Sequence, residues 1–227
     1  MYWIAVGDVH ESTGMLGSIP GIQGAEAVIL TGDLTNRGRE PQAERVLDRV
    51  LAVNPHVLAQ PGNMDHAEVD ALLTRRGLNI HCQARLLAPG LVLMGVGCST
   101  PTPFHTPSEI SEAELVRLIR ETHQQALDLA HRDCPGCAFR LLAVIHTPPL
   151  NTSLDRTTNG AHVGSAGVRA FIEEAQPDVL LCGHIHESVG EERLGRTHAL
   201  NPGLLSEGGF VRLNLADGEL RATLERV

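Results

Sequence analysis

The chain has 227 residues, 42% of them hydrophobic but only 3% aromatic, and a formal net charge of −9 at pH 7. That length suits a single α/β or two-sheet unit with a core of Leu, Val, Ile and Ala. The acidic balance and the absence of a basic run give bulk electrostatics no hold on nucleic acid, and no apolar stretch approaches the ~18 residues of a membrane span.

All 18 basic residues are Arg, which reflects genomic base composition and not chemistry. The opening run "MYWIAVGDVH" has no basic lead or cleavage site and reads as a first strand, Tyr2–Val6, so the cytosol is the expected location. A second strand, Ala27–Leu30, runs into Gly32-Asp33. The helix expected over Pro41–Val53 gathers Val46, Leu47, Val50 and Leu51 on one face. Strand Val57–Ala59 leads to Gly62-Asn63-Met64-Asp65, and a helix over Asp65–Arg76 follows, with Asp65 placed to cap it and Gly77 to end it. After strand Leu91–Val96 comes a Pro-rich loop, Thr100–Ser111, and then a helix over Ser111–Ala130 whose "SEAE" start fits a capping box of Ser111 and Glu114.

Five cysteines is an odd count, and no disulfide framework is expected; Cys134 and Cys137 in "HRDCPGC" read as a loop holding two thiols, since a zinc site would lack a fourth ligand even with His131. Strand Leu141–Ile145 delivers His146 into a second long loop, "HTPPLNTSLDRTTNGAHVGS". Ser165 caps a helix over Ala166–Ala175, and strand Val179–Cys182 ends in Gly183-His184-Ile185-His186. The last forty residues change to successive strands with tight turns, "ADGE" marking a hairpin. The sheets are therefore expected to be mixed, and residues 1–227 to form one domain.

Most of the strands are near-continuous apolar runs, as in strands covered on both faces. Five of them deliver metal-capable side chains just past their C-terminal ends: Asp8 and His10, Asp33, Asn63, His146, and His184 with His186. Open α/β sheets bind ligands at that edge. In an extended chain residues i and i+2 face the same way, so Asp8 with His10, and His184 with His186, can each aim at one point. Seven ligands exceed one four-coordinate ion and suit two metals sharing a carboxylate. The histidines at 56, 81, 123, 131 and 198 have no convergent partners and read as surface or core residues.

The ordered set "GDVH", "TGDLTNRG", "GNMD", "VIHTPP" and "GHIH" resembles the calcineurin-like metallophosphoesterases, and the loop after His146 resembles a prokaryotic branch grouped with cyclic-nucleotide phosphodiesterase-like proteins. The resemblance implies a four-layer αββα sandwich, two mixed sheets flanked by helices. It implies one metal held by Asp8, His10, Asp33 and His186, and a second by Asp33, Asn63, His146 and His184, with Asp33 bridging. It implies hydrolysis of a P–O bond by a bridging hydroxide, with Asn63 and Asp65 in catalytic roles. Manganese leads as the metal, with Fe, Ni, Co or Zn as alternatives.

One departure stands out: many relatives carry a proton-donating histidine where this chain has Met64. Without that donor, phosphodiesters and activated monoesters of small molecules are the expected substrates. His66, His105 or His162 could stand in, and Arg37 and His162 are candidate substrate contacts. A catalytically weak metal-binding scaffold with the same fold is the alternative; a nuclease is disfavoured by the charge. Self-association is left open.

Overall fold

The computed structural model describes residues 1–227 as two sheets between two pairs of helices. The strands are β1 Tyr2–Val6, β2 Val28–Leu30, β3 Val57–Ala59, β4 Gln83–Ala88, β5 Leu91–Val96, β6 Arg140–Ile145, β7 Val179–Leu181, β8 Gly190–Leu194, β9 Thr197–Asn201, β10 Gly209–Ala216 and β11 Glu219–Arg226. The helices are α1 Glu40–Val53, α2 Ala67–Arg75, α3 Glu112–Asp133 and α4 Ala166–Ala175. The first sheet runs β11-β10-β1-β2-β3 and the second β4-β5-β6-β7-β9-β8. β1, β2 and β3 are parallel, as are β5, β6, β7 and β9, while β10–β11, β4 and β8 add antiparallel pairs.

Alternation along the strands sorts the core into three layers. Ile4 and Val6 of β1 pack outward with Val46, Leu47 and Val50 of α1 and with Leu72 and Leu73 of α2. Trp3 and Ala5 point the other way and meet Leu91, Leu93, Leu142 and Val144 of the second sheet. Val92, Met94 and Ala143 cover α3 and α4 through Leu115, Ile119, Val168 and Ile172. This is the four-layer αββα sandwich, and both faces of each central strand are dry, which explains their unbroken apolar runs.

The helix caps follow local chemistry. Ser111 accepts the Glu114 N–H and Ser165 accepts the Val168 N–H, closing the first turns of α3 and α4. Gly77 follows α2 with φ +71°, a left-handed cap. Asp65 does not cap α2: the helix begins after His66, and Asp65 turns inward. The cysteine expectation is also corrected, because the turn after α3 brings the Cα atoms of Cys134 and Cys137 to 5.4 Å and the two are joined as a disulfide. Cys82, Cys98 and Cys182 are free. No helix is long and apolar enough to cross a membrane.

Candidate metal centre

The seven candidate ligands come from both sheets and converge where the parallel strands end. Asp8 and His10 follow β1, Asp33 follows β2, Asn63 follows β3, His146 follows β6, and His184 and His186 follow β7. On one side, His10 Nε2 lies 3.0 Å from His186 Nε2, which is 3.2 Å from Asp8 Oδ2. On the other, Asn63 Oδ1 lies 3.1 Å from His146 Nε2 and 2.7 Å from His184 Nδ1. Asp33 stands between them, its Oδ2 3.7 Å from His10 Nε2 and 3.5 Å from His146 Nε2.

The backbone is bent to make this possible. His10, Asp33 and His184 adopt φ values of 46°, 49° and 69°, a region that non-glycine residues visit at a cost and that is concentrated at functional sites. Glycines give the carboxylates room. A Cβ at Gly62 would lie 2.1 Å from Asp33 Oδ1, and one at Gly183 would lie 2.5 Å from Asp8 Oδ1. Gly32 combines φ +133° with a Cβ position 2.4 Å from His146 Nδ1.

The surrounding hydrogen bonds leave the right atoms free. His146 Nδ1 lies 3.2 Å from the Thr31 carbonyl, so it donates there and Nε2 faces inward toward Asn63 and Asp33. Met64 N–H donates to Asp33 Oδ1 at 2.7 Å, leaving Oδ2 for the imidazoles. His184 N–H donates to Asp8 Oδ2 at 3.0 Å. Asp8 Oδ1 and His10 Nδ1 are buried with no hydrogen-bond partner. Unpartnered buried oxygen and nitrogen, and two imidazole nitrogens face to face beside carboxylates, are what a divalent cation would satisfy. The donor set of carboxylate, imidazole and amide oxygen fits Mn, Fe, Co, Ni or Zn.

Charges among these side chains compensate one another. Burial would raise Asp33, but the imidazoles of His146 and His10 and the Met64 N–H outweigh it and hold the carboxyl at about 2. Burial would lower His146, but the negative charge of Asp33 and Asp8 raises it to about 9. Burial, with the neighbouring His146, lowers His184 to about 4, so it stays neutral and ready to ligate.

The remaining sequence candidates sit at different distances from this centre. Asp65 is buried; its Oδ1 accepts from Thr35 N–H at 2.9 Å and Thr35 Oγ1 at 2.7 Å, and its Oδ2 from Leu34 N–H at 3.0 Å and Gly62 N–H at 2.9 Å. It thereby ties the Asp33 turn to the Asn63 turn. Burial and the adjacent Asp33 charge push Asp65 up to about 7 against those donors. Arg37 donates to the carbonyls of Phe104 (3.5 Å) and His105 (2.9 Å), pinning the loop after β5. His162 lies in the loop after β6, with Nδ1 2.7 Å from Asp155 Oδ1.

Sequence reasoning passed over Thr106 and Glu109. Glu109 accepts from Thr106 Oγ1 at 2.7 Å, and Thr106 Oγ1 accepts from Asn63 Nδ2 at 3.1 Å. A carboxylate only accepts, so the direction of this chain is set, and it turns the Asn63 oxygen toward the histidines. The Pro-rich stretch around Thr106 was the available signal; the side-chain chain within it is tertiary.

Residues 137–224 match the sequence profile described as "Metallophosphoesterase, calcineurin superfamily". Over 184 residues the chain is 29% identical to the uncharacterized protein MJ1162 of Methanocaldococcus jannaschii, covering 78% of this chain and 77% of that one. Among solved structures it is similar to TT1561 of Thermus thermophilus, with a TM-score of 0.66 at 18% identity over 98% of this chain and 97% of the other. It is similar also to one described as a novel archaeal phosphodiesterase, with a TM-score of 0.51 at 13% identity over 99% and 100% of the two chains. Both likenesses concern the fold.

Proposed function

We propose that this chain is a calcineurin-like metallophosphoesterase, a two-metal hydrolase acting on small-molecule phosphodiesters or activated phosphomonoesters in the cytosol. The observation that carries the reading is Asp33 set between two groups of candidate ligands, 3.7 Å from His10 and 3.5 Å from His146. Asp8, His10, Asp33 and His186 would hold one ion, and Asp33, Asn63, His146 and His184 the other, with manganese favoured. When bound, paired divalent ions supply an activated water between them and neutralise charge on the attacking and leaving oxygens.

The residues themselves supply position. Asn63 would present its oxygen to the second ion, and with Nδ2 donating to Thr106 it keeps one N–H for a phosphoryl oxygen. Asp65 is a positioning residue, holding the Leu34, Thr35 and Gly62 amides that set the Asp33 turn. Arg37 retains guanidinium N–H groups beyond the two carbonyls it binds and is a candidate phosphate contact. Met64 contributes its backbone N–H to Asp33 and has no side-chain proton to give. A leaving oxygen must then take its proton from water or from another side chain, which favours good leaving groups. Residues 1–227 act as one domain in this reading, supported by a central core drawn from both sheets.

The test is hydrolysis of bis-p-nitrophenyl phosphate with Mn²⁺ by the purified protein, compared with Asp33→Ala. Turnover abolished together with bound metal supports the enzyme. Metal binding without turnover by the unmodified protein supports the scaffold alternative that Met64 favours.

A further inference from the structure

The loop from His146 to Ser165 is a built object rather than a slack connection. Asp155 is its buried hub. Its carboxylate accepts the N–H groups of Asn151 (3.1 Å), Thr152 (2.9 Å) and Gly164 (2.9 Å), and His162 Nδ1 at 2.7 Å. Thr157 N–H closes a turn onto the Ala161 carbonyl at 2.9 Å, and a bridge sets Arg156 opposite His162. Gly164 completes the packing, since a Cβ there would lie 2.7 Å from the Pro148 carbonyl oxygen and 2.9 Å from Asp155 Cβ.

The loop is fastened beside the candidate centre. It leaves β6 at His146 and is held by Ser188 Oγ on the Arg156 carbonyl, and by Glu187 on the Thr158 N–H at 3.2 Å. Glu187 and Ser188 are the residues that follow His186. A cleft of about 430 Å³ opens between the two segments, lined by Arg156, Thr157, Thr158, Glu187 and Ser188 among others. The Arg156 guanidinium makes no ion pair or hydrogen bond.

Three non-ligating histidines lie on segments adjoining the centre. His66 precedes α2 and makes no side-chain hydrogen bond, and His105 lends only its carbonyl to Arg37. His162 alone has a carboxylate partner. Burial would raise Asp155, but His162 and the three amides hold its carboxyl below the usual range, so it is ionised at neutral pH. A buried carboxylate on Nδ1 fixes the orientation of the ring and leaves Nε2 to act outward. Nε2 has no partner within the protein, and the side chain is 37% exposed.

We infer that His162, oriented by Asp155, is the proton donor to the leaving oxygen, and that the cleft beside it receives the leaving alcohol of a polar phosphodiester. The inference rests on the phosphoesterase reading of the centre. Water adds to phosphorus as the P–O bond to the leaving oxygen breaks, and the bonding pair passes to that oxygen. The proton on His162 Nε2 goes to the same oxygen and releases a neutral alcohol. The imidazole is then neutral, Asp155 stays ionised, and the proton lost by the attacking water reaches solvent, from which His162 is recharged. His162 is the catalytic residue here and Asp155 the positioning residue.

The test compares the unmodified protein, His162→Gln and Asp155→Asn on bis-p-nitrophenyl, diphenyl and dialkyl phosphodiesters with Mn²⁺. His162→Gln lowers kcat on the dialkyl ester by about 10²–10⁴-fold with KM little changed, and the loss shrinks about tenfold or more as the leaving group improves to p-nitrophenolate. Asp155→Asn follows the same order with smaller losses. In the metal-free protein, the low-field Nδ1–H proton signal of His162 is present and vanishes in both variants. If His162→Gln fails to fold by thermal scan, His162→Ala with added imidazole restores dialkyl turnover selectively. A uniform loss across the series, no loss, or no imidazole rescue overturns the inference while leaving the two-metal reading intact. Failure of the unmodified protein to hydrolyse any ester with any divalent metal overturns both.

Discussion

Asn63 Nδ2 donates to Thr106 Oγ1 at 3.1 Å, and that bond settles which end of the amide faces His146 and His184. The polarity is inherited from Glu109, whose carboxyl is held at about 2: burial would raise it, but hydrogen bonds from Thr102 and Thr106 outweigh burial. Side chains behind a ligand usually set metal affinity by about 10–100-fold. Thr106→Val therefore weakens binding of the second metal ion by that factor, measured by competition titration with a chromophoric chelator. Thr106→Ser keeps the hydroxyl and stays near the unmodified value.

Two glycines act as space for oxygen atoms. Gly183→Ala drives a methyl toward Asp8 Oδ1, at 2.5 Å, and Gly62→Ala toward Asp33 Oδ1, at 2.1 Å. Each variant loses bound metal, read by elemental analysis after gel filtration, while far-ultraviolet dichroism stays native. Gly14→Ala, where nothing lies within 4 Å of the added Cβ, is the control and retains metal.

Asp65→Asn tests the tie between the Asp33 and Asn63 turns. The amide nitrogen of the variant faces N–H groups that need an acceptor, and each buried donor left unpaired costs about 1–3 kcal/mol. A domain of this size loses roughly 2–4 °C in Tm per kcal/mol. Calorimetry of the metal-free variant should show that drop, whatever the activity does.

The metal-free protein should have its own pH dependence. His146 titrates near 9 in the fold, above an ordinary imidazole at 6.5. Its imidazolium therefore stabilises the fold fully below about pH 6.5, and that contribution disappears as pH rises through 9. Urea midpoints of chelator-treated protein should fall between these values. Metal binding at pH 7–8 should release a proton from His146, seen as a buffer-dependent heat in titration calorimetry.

The ends of the parallel strands were legible because strand, glycine and ligand occur together in the sequence. β1, β2, β3, β6 and β7 were each placed within one residue at either end, as their faces are both apolar. β4 escaped notice: "QARLLA" is half-exposed, carries Arg85 and shifts register between Leu86 and Ala88, so it shows neither an apolar run nor clean alternation. The two closing hairpins were legible from their turns, but not that β8–β9 joins the second sheet while β10–β11 joins the first. In the same way, Asp65 reads locally as a helix cap, and only the fold brings Leu34 and Thr35 within its reach.

The pairing of β10 with β1 has a consequence for synthesis. Tyr2 to Val6 leave the ribosome long before their antiparallel neighbour, Phe210 to Asn214. Until then β1 has an open edge, and the Asp8 carbonyl lacks the Leu205 N–H that meets it at 3.1 Å. Nascent chains on one messenger therefore expose an apolar ribbon able to pair with its neighbours. Truncation ahead of Phe210 should thus show up as aggregation before it shows up as lost chemistry.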